Sequence, residues 1–382
     1  MVAAGPPTLA AMKLAEVIEM LDQAYPPRLA EGWDSVGLVC GDPAAEVERV
    51  LVCVDVTADV VDAALARDAQ LVIAHHPLLL RGVDTVAAST PKGALIHRLI
   101  RGGCALFTAH TNADRARGGV NDALAATLGL QVTGPVEYLD AQPRLDRWGV
   151  MVPPAQADEV LAAMFEAGAG EVGEYSECAW RVDGVGQFRP GASANPAIGA
   201  TGELTTVVET RVELVAARGR RAEILAALRD AHPYEEPAHD VIELVDGDRE
   251  WGLGRVGALP EPLPLTAFTE HVANALGAPA RAAGDPGALI RTVAVCGGAG
   301  DSLLGAVARL GVDAYVTGDL RHHPVDEHLR AGGPALIDAG HWGTEFPWCG
   351  AVAELLWPFL EVAVHEPPTD PFTVRAAPAA DA

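Results

Sequence analysis

The chain has 382 residues, 49% of them hydrophobic and 5% aromatic, which predicts two or three domains built on aliphatic cores. Its 52 acidic residues against 27 basic ones give a formal charge of −25, which excludes a general binder of duplex nucleic acid or anionic membranes, because phosphate groups demand clustered Lys and Arg. Six scattered cysteines without a Cys-x-x-Cys pair argue against a disulfide framework or a zinc knuckle, so the expected location is a reducing cytoplasm.

Residues 1–11 lack the basic-then-apolar order of a signal peptide, and Met12 is an alternative start to Met1. No apolar run approaches the roughly 20 residues needed to cross a bilayer. Leu14, Val17, Ile18 and Leu21 stand at helical spacing and predict a helix over 12–23. Trp33-Asp34-Ser35-Val36-Gly37-Leu38 reads as a turn entering a strand. Strand 50–54, helix 59–67, strand 71–74, a helix near 93–101, strand 105–109 and a helix near 119–128 follow in alternation. That alternation predicts a mostly parallel sheet covered on both faces.

The rhythm changes over 137–248. Strand 148–152, helix 157–166, strands 179–188 and 205–215, helix 220–230 and strand 241–245 make a βαββαβ order, expected to be an inserted ferredoxin-like α+β domain. Residues 190–202, rich in Gly, Ala, Ser, Asn and Pro, are expected to be a long flexible hairpin loop. From about 252 the βα alternation returns, with strands 292–296, 314–317 and 335–337, helix 350–360 and strand 361–364; a frayed tail is expected from Ala376. The expected fold class is therefore α/β: a two-part, mostly parallel core (1–136 and 249–382) carrying an inserted α+β domain (137–248).

Three predicted strands end in metal-ligand chemistry. Leu71–Ala74 runs into His75-His76-Pro77, the strand 105–109 into His110-Thr111-Asn112-Ala113-Asp114, and 335–337 into Gly340-His341-Trp342-Gly343-Thr344-Glu345. A fourth strand, 314–317, leads to Asp319 and then His322-His323-Pro324. In open α/β sheets ligands bind outside the carboxyl ends of strands. Imidazole with carboxylate suits borderline divalent ions such as Zn, Mn, Fe, Co or Ni. Each motif has a plain structural alternative: a buried hydrogen-bonded pair at His75-His76, a surface ion pair at His341/Glu345, and a helix cap at Asp114. Their joint occurrence at equivalent strand ends favours the metal reading. Gly297-Gly298-Ala299-Gly300 sits between a strand and a helix as a phosphate loop would, but it fits neither Gly-x-Gly-x-x-Gly nor a P-loop, so a tight packing turn is expected and no nucleotide cofactor.

Taken together with Gly254-Arg255-x-Gly257-x-Leu259, Val295-Cys296-Gly297-Gly298-Ala299-Gly300 and Thr317-Gly318-Asp319, these motifs resemble the Nif-three-like dinuclear-metal family, also labelled GTP cyclohydrolase 1 type 2 homologs. The resemblance covers nearly the whole chain; Ser35 stands where the family has Asn. It implies two divalent ions per subunit, one held by His75, Asp114 and Glu345 and the other by His76, His341 and Glu345. His110, His322 and His323 would line the same pocket as proton carriers or substrate contacts. It also implies that 137–248, with His232-Pro233-Tyr234-Glu235-Glu236-Pro237, is a PII/CutA-like insertion, and that the protein assembles as a toroidal homohexamer. The activity expected is metal-dependent hydrolysis of a small molecule, by GTP cyclohydrolase-type ring opening or by phosphoester or amide cleavage. The competing expectation is a metal-dependent regulatory or assembly protein without turnover, and a third, ranked lower, is a nucleotide-dependent oxidoreductase.

Overall fold

The computed structural model describes residues 11–139, 145–173, 175–244 and 251–374, so the expected leader before residue 11, the tail from Ala376 and Val245 lie outside the described residues. The chain divides into two units, Met1–Leu139 with Arg249–Ala382, and Asp140–Asp248.

The first unit contains two large sheets. One has the order Glu361–Val364, Arg49–Cys53, Leu71–Ala74, Ala105–Thr108, Gly37–Cys40. Its first four strands are parallel and the last is an antiparallel edge. Strands buried on both faces read as unbroken apolar runs, and Leu71, Val72, Ile73 and Ala74 are all fully buried. Alternate side chains divide between two cores. Val50, Val52, Leu71, Ile73 and Phe107 pack with Leu14, Val17 and Leu21 and with Trp348 and Val352. Leu51, Cys53, Val72, Ala74 and Leu106 pack with Val60, Val61, Ile96 and Leu99 on the other side. Helices Ala58–Ala66 and Pro91–Arg101 begin where Thr57 and Thr90 cap them, each accepting a backbone N–H with its hydroxyl.

The second sheet has the order Arg281–Ala283, Ala335–Asp338, Ala314–Gly318, Leu289–Ala299, Arg255–Pro264, Gln131–Gly134. Only its two central junctions are parallel; the other three are antiparallel. The expectation of a mostly parallel sheet is therefore corrected for this half. Strand Arg255–Pro264 hid from the sequence because Pro260, Pro262 and Pro264 read as loop. The structure accommodates Pro260 and Pro262 where the register with Leu289–Ala299 shifts between Ala258 and Leu263, and Pro264 at the strand's last position opposite Leu289.

In the second unit the strand order is Ala179–Phe188, Thr205–Ala217, Leu145–Val152, His239–Glu243, antiparallel throughout. One face carries Trp148, Val150, Val212 and Leu214 against Val160, Leu161 and Met164 of helix Ala157–Glu166 and Ile224 and Leu228 of helix Arg221–Ala231. His232 is a structural residue: its Nε2–H donates to the Met151 carbonyl at 2.9 Å and its Nδ1 accepts the Tyr234 amide at 3.0 Å. The 190–202 loop is tied at its base by the Gly202 amide on the Pro190 carbonyl (2.8 Å) and near its tip by the Asn195 amide on Glu235 (3.1 Å).

Residues 137–139 belong with the first unit. Glu137–Tyr138 pairs with Gly252–Leu253, and the Leu139 amide donates to the Trp251 carbonyl at 3.1 Å. Among the described residues no helix is long and apolar enough to cross a membrane.

Candidate metal centre

Strand exits of both sheets of the first unit converge on one cluster. His75 and His76 follow Leu71–Ala74. His110 follows Ala105–Thr108 and opens the short helix Thr111–Arg115, which carries Asp114. Strand Ala335–Asp338 leads into helix His341–Glu345, whose end residues share a face at i, i+4.

Glu345 is the centre of the cluster and is 3% exposed. Its Oε1 lies 3.1 Å from His341 Nε2 and 3.6 Å from His75 Nε2; its Oε2 lies 3.1 Å from His76 Nε2. Asp114 Oδ1 is 3.7 Å from His75 Nε2. His75, His76 and His110 have ligand atoms within 4.8 Å of one another, and so do His76, His341 and Glu345.

The four imidazoles are oriented alike. Nδ1 of His75 donates to the Ala109 carbonyl (2.9 Å), that of His76 to Asp55 (2.7 Å), that of His110 to Asp34 (2.8 Å) and that of His341 to Asp319 (2.7 Å). These acceptors assign the Nδ1–H tautomer to the neutral rings and leave Nε2 lone pairs on the cluster side. The carboxylates behind the rings are themselves held. Thr369 donates to Asp55 at 2.5 Å, while Asp34 accepts from the Thr111 hydroxyl (2.5 Å) and amide (3.0 Å). In Asp34 and Asp55 burial alone would raise the pKa, but hydrogen bonds from Thr111 and His110, and from His76 and Thr369, overcome it and keep both ionised.

The donor set fits a cation. His75 Nε2 and Asp114 Oδ1 are buried without hydrogen-bond partners, a costly arrangement unless an ion or water completes it. His76 Nε2 and His341 Nε2 stand 3.3 Å apart. Two ligands bound at about 2.0–2.1 Å on a tetrahedral ion have about that separation.

Without an ion, protons take its place. Burial would depress His76, but the charge on Glu345 and the bond to Asp55 push it up to about 10. Burial likewise opposes His341, which Glu345 and Asp319 raise to about 9. Burial raises Asp114 to about 6, and His75 and His76 draw Glu345 well below the carboxylate range against its burial. His110 is lowered, first by burial and then by the charge of His75, so it is neutral near pH 7.

His322 and His323 do not join this group. Both are exposed at the start of helix His322–Arg330, with ring centroids 5.2 Å apart, and His322 lines a separate cavity with Arg281, Arg321, Asp326 and Asp338. The exit of strand Ala314–Gly318 delivers Asp319 instead. That residue adopts a left-handed turn at φ +57°, which Asp tolerates better than most. The sequence reading missed Asp55, Thr369 and the holding roles of Asp34 and Asp319. A carboxylate two residues beyond strand Arg49–Cys53 was the available signal for Asp55.

The glycine turn is a wall of the centre. The Gly297 amide donates to Asn121 and the Gly298 amide to Thr344, both at 2.9 Å, so these donors are not free for phosphate. Gly298 has φ +65°, and a Cβ there would collide with Glu345 Oε1 and lie 3.2 Å from His341 Nε2.

Comparison with known proteins agrees with this architecture. A GTP cyclohydrolase 1 type 2 homolog of Mycobacterium tuberculosis (strain ATCC 25618 / H37Rv) is 58% identical over 348 residues, covering 90% of this chain and 91% of that protein. One from Bacillus subtilis (strain 168) is 35% identical over 365 residues, covering 94% and 97%. The crystal structure of a Bacillus cereus protein related to NIF3 matches with 34% identity and a TM-score of 0.64, over 95% of this chain and 99% of that one. The family model described as Duf34/NIF3 (NGG1p interacting factor 3) matches residues 12–370, a span that holds both sheets and every residue of the cluster, and the chain belongs to that family.

Proposed function

We propose that this protein is a divalent-metal-dependent hydrolase of a small molecule, with two ions held side by side. The observation that carries the reading is the convergence of Nε2 atoms from three oriented imidazoles, His75, His76 and His341, on the buried Glu345 carboxylate, with Asp114 facing His75 and with His110 beside His75 and His76. His75, Asp114 and Glu345 would hold one ion; His76, His341 and Glu345 would hold the other. Bound divalent ions supply Lewis-acid polarisation of the scissile group and a nucleophile at neutral pH. The chain's own residues supply the proton transfer. His110, its Nδ1–H engaged by Asp34 and its pKa held down, accepts a proton at Nε2 from the attacking water and returns it to the leaving group. The names of the relatives direct the first substrate test to GTP; the ligand set suits phosphoester and amide hydrolysis equally.

The βαββαβ unit, with its 4-1-3-2 strand order, supports reading Asp140–Asp248 as a ferredoxin-like, PII/CutA-like insertion, and a cytoplasmic homohexamer is proposed with it. The test is metal content per subunit together with turnover of GTP and of phosphoester and amide substrates, in wild type and in His76→Ala and Glu345→Ala. About two ions with turnover, both lost in the variants, is the expected result. Metal without turnover would favour a regulatory or assembly role. Less than one ion after reconstitution, or unchanged content in the variants, would overturn the assignment.

A further inference from the structure

The loop that carries Asp34 presents its neighbour to solvent. Asp34 has a fully buried side chain engaged with His110, Thr111 and the Ser35 amide, while the adjacent Trp33 is 60% exposed. Large aromatic side chains are normally among the better buried residues, and a singly exposed one needs no explanation by itself. Two features set Trp33 apart. Its indole lies against His110, with ring centroids 6.1 Å apart at 76°, at the edge of the proposed centre. Its loop is also fixed at several points. The Asp34 amide donates to the Glu31 carbonyl (3.0 Å), the Glu31 amide to Thr111 Oγ1 (2.9 Å), and Arg115 pairs with the Glu31 carboxylate while donating to the Leu29 carbonyl (3.0 Å). Thr111 and Arg115 belong to the helix that carries Asp114. The loop that carries the exposed ring is therefore tied to the same element that positions the cluster.

We infer that Trp33 is a stacking platform for a planar heteroaromatic ring in the substrate, holding that ring beside His110 while the scissile group reaches the cluster. An indole on a loop already fixed without ligand has little backbone freedom left to lose when a ring stacks on it, and stacking accepts any flat π-face. This inference rests on the hydrolase reading and gives its substrate a chemical class.

The test uses the full-length, metal-loaded protein. GTP and inorganic triphosphate are titrated calorimetrically into wild type, Trp33→Ala and Trp33→Phe, with metal content and oligomeric state measured on each sample. Trp33→Ala is expected to weaken GTP binding by about tenfold or more while Trp33→Phe retains most of it, as base–aromatic stacking requires. Inorganic triphosphate, which has no ring, is expected to bind all three equally, with metal content unchanged. Equal GTP affinity in all three proteins, or wild type binding GTP no better than triphosphate, would overturn the inference. So would parallel loss of triphosphate binding or a changed oligomeric state in Trp33→Ala, because the indole would then be supporting the centre or a subunit contact. Failure of the hydrolase reading is separately visible, as wild-type protein that takes up no metal or that takes it up without turning over GTP or the phosphoester and amide substrates.

Discussion

At the residue scale, every imidazole of the cluster is gripped from behind, and three of the four grips are carboxylates. Such partners fix ring orientation and make the facing nitrogen a better donor. Asp55 serves His76 alone among the cluster rings and is itself clamped by Thr369. Asp55→Ala is expected to weaken metal affinity by about 10–100-fold, measured by competition with a chromophoric chelator. The raised values of His76, about 10, and His341, about 9, set the sign of the pH dependence. Below those values the metal-free rings carry the additional proton, and an ion must displace it. Metal uptake near pH 7 is expected to release protons, and affinity to fall as pH falls. A pH indicator in weakly buffered solution reads this directly; proton-neutral uptake would contradict the ligand assignment of the two rings.

At the element scale, the decisive piece is the end of strand Leu289–Ala299, which runs past the cluster instead of stopping short of it. Gly298 leaves room for Glu345 and His341 and adopts a backbone conformation that disfavours a side chain. Gly298→Ala is expected to abolish metal binding while the protein still folds, checked by metal analysis beside circular dichroism. The glycine pattern was visible in the sequence, and a tight turn was the expected reading. That its missing side chain is space for a buried carboxylate was not legible, because the residue filling that space lies on another element.

At the scale of the whole first unit, Arg255 joins segments far apart in sequence. It is 2% exposed, pairs with Asp122 at 2.7 Å and donates to the carbonyls of Ala116 (2.8 Å), Gly252 and Gly254 (both 2.7 Å). Arg255→Ala would strand these acceptors, and a loss of about 3–5 kcal/mol is expected, read by chemical denaturation. The same scale explains why a long insertion leaves the ligand set intact. The first unit's chain leaves at Leu139 and resumes at Arg249, and Leu139 is hydrogen-bonded to Trp251 just after the return. The proposed ligands all lie in that unit, on both sides of the insertion in sequence.

The sequence by itself determined the strands that end in the clustered side chains and the identity of the proposed ligands. An apolar quartet such as Leu71–Ala74 declares a buried strand, and His75 and His76 directly after it must emerge at its carboxyl end. Those are local facts, carried by neighbouring residues and a period of two. Tertiary structure alone decided which side chains meet. Asp34 reaches His110 across 76 positions, and Thr369 reaches Asp55 across 314. The left-handed turn at Asp319 brings a carboxylate to His341 and leaves His322 and His323 on the exposed start of a helix. The antiparallel half of the second sheet was hidden for the same reason: strand pairing and turn direction follow from how distant segments pack, and no local pattern encodes them.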